Sequence, residues 1–249
     1  MVFGPLAICG TALLLLPVLK IAGLPFFRTN GMVLFVTGGM GASLYHLTPA
    51  PLIRMEPFAL FLFVLFVYNL RLWFRHPYSS PCLLYAAAGI GAFALAAIAL
   101  PMSEISGRPA VSLFLTLVLS GLMMGSVALA MLLGHRYLTA PSLSIVPLAS
   151  LVRLFQWLLY AAIVLVGIET VSDFQKWRQA LRLEQISGLY LWIRLLIGLI
   201  TPVILSQMIR RTVAERATMS ATGLLYITLL MVLIGEIFSR FFIVIPQPF

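Results

Sequence analysis

The chain has 249 residues, of which 62% are hydrophobic and 9% charged, and its formal net charge is +9. An ordinary soluble domain is about half apolar and a quarter charged, so these proportions exclude one and point to lipid as the solvent. A bilayer-crossing helix uses roughly 20 apolar residues, and eight such stretches leave no room for a separate soluble catalytic domain.

The first stretch, 5–24, has no basic residue before it and no small-residue cleavage pattern after it. It reads as a retained span, not a signal peptide. The second, 31–48, is crowded by Gly38, Gly39 and Gly41 and contains His46 near its end. The third and fourth follow at 57–74 and 80–101, the latter made smooth by alanines between Ala86 and Ala97. The fifth, 110–133, holds Gly121 and Gly125 as Gly-x-x-x-Gly. Lipid supplies little drive for apolar helices to associate, so such small-residue surfaces are expected to be packing faces. The sixth span is 147–168. After it, 170–186 places Phe174, Trp177 and Leu181 at helical spacing with Lys176, Arg178 and Arg182 on other faces. That pattern describes a short amphipathic helix in the membrane interface or a dock for a partner. The seventh span, 187–209, contains Pro202 behind Gly198 and Thr201, and a kink with a freed carbonyl is expected there. The eighth is 219–245. Apolar runs of this length do not alternate as membrane strands must. The expected fold is all-α: one polytopic membrane helix bundle over 1–249, of about eight transmembrane helices.

Basic residues set the expected orientation. Connections after the odd-numbered spans contain or flank Lys20, Arg28, Arg71, Arg75, Arg136, Arg153, Arg210, Arg211 and Arg216, and those after the even-numbered spans hold Arg54, Arg108, Lys176, Arg178 and Arg182. By the positive-inside rule the richer side is cytoplasmic, which turns both termini outward. This asymmetry accounts for the basic character without nucleic acid, since no stacking aromatics are interleaved with the charges.

Ionisable residues within a span cost about 2.5–3.5 kcal/mol at its centre, so each requires a reason. Arg194, Glu236 and Arg240 stand out. Glu236 and Arg240 are four apart on the last span and share a face, and the topology puts Arg194 in the same outer half. The cluster either locks the last helices together or forms a polar pocket and proton path. His46 is expected at that same outer end, where an imidazole can donate to a quinone carbonyl and relay a proton. His135 is expected at the opposite face, most of a roughly 30 Å core away, so the two histidines are not expected to share a haem iron. Cys9 and Cys82 have no paired spacing, and neither a disulfide nor a thiolate metal site is expected. The sequence has no HExxH, no Gly-rich loop with GK[ST], and a single aspartate, Asp173.

Two segments resemble a known group. The run Leu233-Ile234-Gly235-Glu236-Ile237-Phe238-Ser239-Arg240 and the end of the second span at His46-Leu47 are similar to the membrane-anchor subunits of dimethyl sulfoxide reductase and of the polysulfide reductase (NrfD-like) group. That family's last helix carries Gly-Glu with Arg four residues after the Glu, and its second helix ends in His-Leu-Gly; here Thr48 stands in place of that Gly. The resemblance implies a haem-free subunit of a bacterial cytoplasmic membrane complex. It would hold quinone, menaquinone or ubiquinone, near the outer face and pass electrons to an iron–sulfur partner. His46 would bind the headgroup, with Glu236, Arg240 and Arg194 shaping the pocket or moving protons. Two other classes fit the residues: a transporter or channel centred on Arg194, Glu236 and Pro202, and a structural scaffold of a larger membrane complex.

Overall fold

The computed structural model describes residues 2–46, 55–74, 81–140, 142–172 and 186–244, and every regular element among them is helical. In chain order these are α1 (Phe3–Leu13), a 3-10 turn (Pro17–Ala22), α2 (Leu24–His46), α3 (Glu56–Phe74), α4 (Pro81–Ser106), α5 (Ala110–Thr139), α6 (Val146–Ser172), α7 (Ile186–Leu195), a π turn (Leu196–Ile200), α8 (Thr201–Ala214) and α9 (Thr218–Val244). α7, the π turn and α8 run on as one span. Helices are what lipid demands, because each buried amide must find its partner inside its own segment.

Among the described residues, six spans are long and apolar enough to cross a membrane: α3, α4, α5, α6, the α7–α8 span and α9. The chain is an integral membrane helix bundle. The two remaining expected spans fall short for separate reasons. α2 has 23 residues, but Arg28, Thr29 and Asn30 in its first turns lower its apolarity. α1 has only 11 residues, where the sequence predicts one span over 5–24. Pro17 is the cause: it lacks the N–H that would bond Leu13, and its ring excludes a helical residue before it. Leu16 accordingly turns extended at ψ 123°, after Leu15 and Leu16 tighten onto the carbonyls of Ala12 and Leu13 at 3.1 and 3.0 Å. Gly23, at φ +77°, then reverses the chain into α2. The amphipathic segment expected at 170–186 lies almost wholly outside the described residues.

The helices form two groups of four around a shared seam. In the first, α1 packs on α2 and α4, and α3 closes the ring between them. In the second, α5 packs on α6 and α9, and the α7–α8 span closes the ring. α1 and α4 join the groups by packing on α5. α5 is the hub: two thirds of its apolar window (67%) is buried, against 28–39% in the other five spans. A helix enclosed on all sides needs no solvent-facing charged face, and the charged residue that α5 has, Arg136, lies in its last turn. Its glycines do what the sequence predicts. A Cβ at Gly121 would stand 2.6 Å from the Pro5 carbonyl oxygen, and one at Gly125 3.1 Å from the Gly10 Cα.

Helix direction sorts the charges. At one end lie Lys20, Arg28, Arg71, Arg136, Arg153, Arg210, Arg211 and Arg216, with Glu215 as the acid among the described residues. At the other lie Arg108, Arg194 and Arg240 with Glu56, Glu104, Glu169 and Glu236.

Candidate functional site

The second helix group encloses a charge network. α9 runs antiparallel to α5, so that Thr222 meets Gly134 and Arg240 meets Ser120. Glu236 and Arg240 pair as their spacing of four predicts: Arg240 Nη2 donates to Glu236 Oε2 at 3.2 Å. The same nitrogen donates to Ser120 Oγ. Both charged residues are buried, at 8% and 5% exposure. Arg240 Nε and Nη1 are also buried and have no hydrogen-bond partner among the described residues.

Arg194 enters from α7 and is equally buried, at 8% exposure. It makes no direct ion pair with either nearby carboxylate, but Glu236 and then Glu169 act on it electrostatically, against Arg240 and Arg108. Arg108, just before α5, pairs with Glu169 near the end of α6 at 3.4 Å, and Ser112 Oγ donates to the other carboxylate oxygen at 3.4 Å. Ser112, Thr116 and Ser120 recur every four residues, so one stripe of α5 connects the two ion pairs. Three guanidiniums face two carboxylates, which leaves one positive charge over among the described residues.

The backbone beside this network departs from α geometry. Pro202 cannot donate to the Gly198 carbonyl, and the register slips by one residue into the π turn. The Thr201 amide bonds Leu196 O, and its hydroxyl donates to the same oxygen at 2.8 Å. The expected kink is thus met by a π turn, a feature often found at functional sites. It brings Gly198 against Gly235, the neighbour of Glu236; a Cβ at Gly198 would lie 2.6 Å from the Gly235 Cα.

Of the residues expected at a site, Arg194, Glu236 and Arg240 come together. His46 closes α2 at the same end of the bundle, because Gly41 lies beside Gly4 on α1 and Pro5 beside Gly121 on α5. Its helix, however, packs chiefly on α1 and α3 in the first group and has no substantial contact with α9. His135 is exposed at the far end of α5, fifteen residues and roughly 22 Å below Ser120. His76 lies outside the described residues. Sequence reasoning missed Ser120, Ser112 and the Arg108–Glu169 pair, although the four-residue spacing of hydroxyls on α5 was there to be found. Among the described residues no three His, Cys, Asp or Glu side chains gather as a metal site. Cys9, buried in α1, and Cys82, exposed on α4, are both free.

The geometry defines a class, a membrane helix bundle with one charged centre. Comparison with family models, with curated proteins and with solved structures finds no match for the chain.

Proposed function

We propose that this protein is the membrane subunit of an electron-transfer complex and that the Arg194–Glu236–Arg240 cluster, not His46, is where it receives a quinone headgroup. One observation carries the reading: buried Arg240 keeps Nε and Nη1 without partners among the described residues, one helical turn from a carboxylate. A buried donor left unpaired costs about 1–3 kcal/mol, more when charged, so the site favours an oxygen acceptor brought in from the bilayer. A quinone carbonyl is such an acceptor in both menaquinone and ubiquinone. The quinone supplies two-electron, two-proton chemistry, and an iron–sulfur partner supplies the electron route. Arg240 and Arg194 orient the carbonyl, and Glu236, held between the guanidiniums, carries the proton. Ser120 fixes the Arg240 fork against α5.

The reading includes eight crossings, with α1 and its 3-10 turn as the first and α2 as the second. It also takes the end rich in Lys20, Arg136 and Arg210 as cytoplasmic, in a bacterial inner membrane, and both termini as outer. The charged centre then lies in the outer half. The test is quinone titration of the purified complex. Glu236→Gln and Arg240→Gln are expected to weaken binding at least tenfold, while His46→Ala leaves it within twofold. Unchanged binding in both cluster variants overturns the reading.

A second reading has its own support. The π turn breaks the regular ladder beside the charges and against a glycine, an arrangement suited to a pivot in a transporter. Solute uptake by proteoliposomes containing this chain alone would favour it; the redox reading expects none.

A further inference from the structure

We propose that a cavity beneath α1, at the opposite end of the bundle from the charge network, binds the headgroup of an anionic phospholipid. The cavity exists because Pro17 cuts α1 short. α2 and α3, of 23 and 19 residues, continue past it for several turns, and the 3-10 turn folds underneath instead of filling the space. The void measures about 250 Å³ and is lined by Leu14, Lys20, Phe27, Tyr68, Leu84 and Tyr85, among others.

Its polar groups are all suited to an anion. Lys20 brings a full positive charge, and no carboxylate lines the cavity among the described residues. Tyr68 is buried to 2% exposure, and its hydroxyl has no hydrogen-bond partner among the described residues. α2 and α4 both begin at the cavity wall, with Leu24 and Pro81 in its lining, so the positive ends of two helix dipoles lie beside it. The rest of the wall is apolar. Its volume falls below the 300–1,000 Å³ typical of whole small-molecule sites, which fits a headgroup and the first part of one chain while the remaining tail lies in the bilayer. The surrounding end of the bundle carries the basic residues, and basic pockets between helices on such a face bind anionic headgroups.

The test uses the full chain in phosphatidylcholine nanodiscs with and without phosphatidylglycerol. Native mass spectrometry is expected to find one phosphatidylglycerol retained per chain. Retention should fall about fivefold in Lys20→Gln, the worth of one basic residue at a lipid surface, and several-fold in Tyr68→Phe. Lys20 is exposed, so its replacement leaves the fold intact. A second readout is the temperature at which buried Cys9 reacts with a thiol dye in a Cys82→Ala background. Phosphatidylglycerol should raise it in the parent and not in Lys20→Gln. Equal retention in parent and Lys20→Gln would mean lipid bound elsewhere on the surface and overturns the proposal. So would an equal temperature shift from inorganic phosphate alone, which would make this a free-anion site.

Discussion

The two helix groups meet the same solvent in opposite ways. In the first, the buried polar groups are uncharged: Asn69 Nδ2 donates to the carbonyls of Gly31 and Leu65 at 3.1 and 2.9 Å, and Asn30 Nδ2 to Phe26 O at 2.7 Å. Its distinguishing feature is an omission, the turns that α1 lacks. In the second group the interior carries full charges, with Arg194 from α7 and partners supplied by α5, α6 and α9. α5 serves both, with glycines toward α1 and hydroxyls toward the charges. A membrane bundle can therefore place a void and a charge network in one short chain, provided a single helix is apolar enough to separate them.

The sharpest break of this contrast is Glu236→Leu. It strands a buried guanidinium, and the expected loss is about 3–5 kcal/mol by thermal unfolding in detergent. Adding Arg240→Met should restore most of that stability. A double variant that is stable yet no longer binds quinone separates function from packing; one that keeps full turnover shows that the pair only locks helices. Next comes Gly235→Ala. Its methyl group meets the Gly198 backbone, which cannot move aside like a side chain, and about 1–3 kcal/mol should be lost. Gly91→Ala in the first group meets a side chain instead, the branch methyl Cγ2 of buried Ile8 at 2.6 Å, and a loss of about 1–2 kcal/mol is expected. Equal losses at the two glycines would show the groups to be packed alike. Asn69→Leu removes bonds to Gly31 and Leu65 and should cost about 0.6–1.7 kcal/mol. The smallest effect is Arg108→Gln. Its pair with Glu169 is partly exposed, with side-chain exposures of 25% and 13%, and its loss should register under about 1 kcal/mol.

Much of this was legible in the sequence, because lipid makes the rules few. Long apolar runs gave eight expected crossings, six of which are long and apolar enough among the described residues, the spacing of four gave the Glu236–Arg240 pair, and Pro202 marked the break in the seventh span. The small residues at Gly121 and Gly125 read correctly as a packing face. What escaped depends on neighbours distant in sequence. Hydropathy treats Pro17 as one residue in an apolar run, whereas its missing N–H ends α1 and opens a cavity with walls on three other helices. Ser120 is an ordinary hydroxyl until α9 brings Arg240 beside it. His46 was placed at the correct end of the bundle, but end and side are different coordinates, and topology alone fixes only the first.

The π turn has a further consequence. It fits one extra residue into the span between two docking surfaces: the turn itself is seated on α9 by Gly198 against Gly235, while α8 is held to α6 by Gln156 Nε2 donating to Ser206 O at 3.1 Å and Gln207 Nε2 to Tyr160 Oη at 2.5 Å. Each residue in a regular helix advances the azimuth by about 100°. That single surplus residue is thus a phase shifter, setting which way one half of the rod faces when the other is seated. Deleting Leu199, which lies between the two contacts, would remove the surplus residue and rotate them out of step, so that either the glycine crossing or the glutamine clasp could form, but not both.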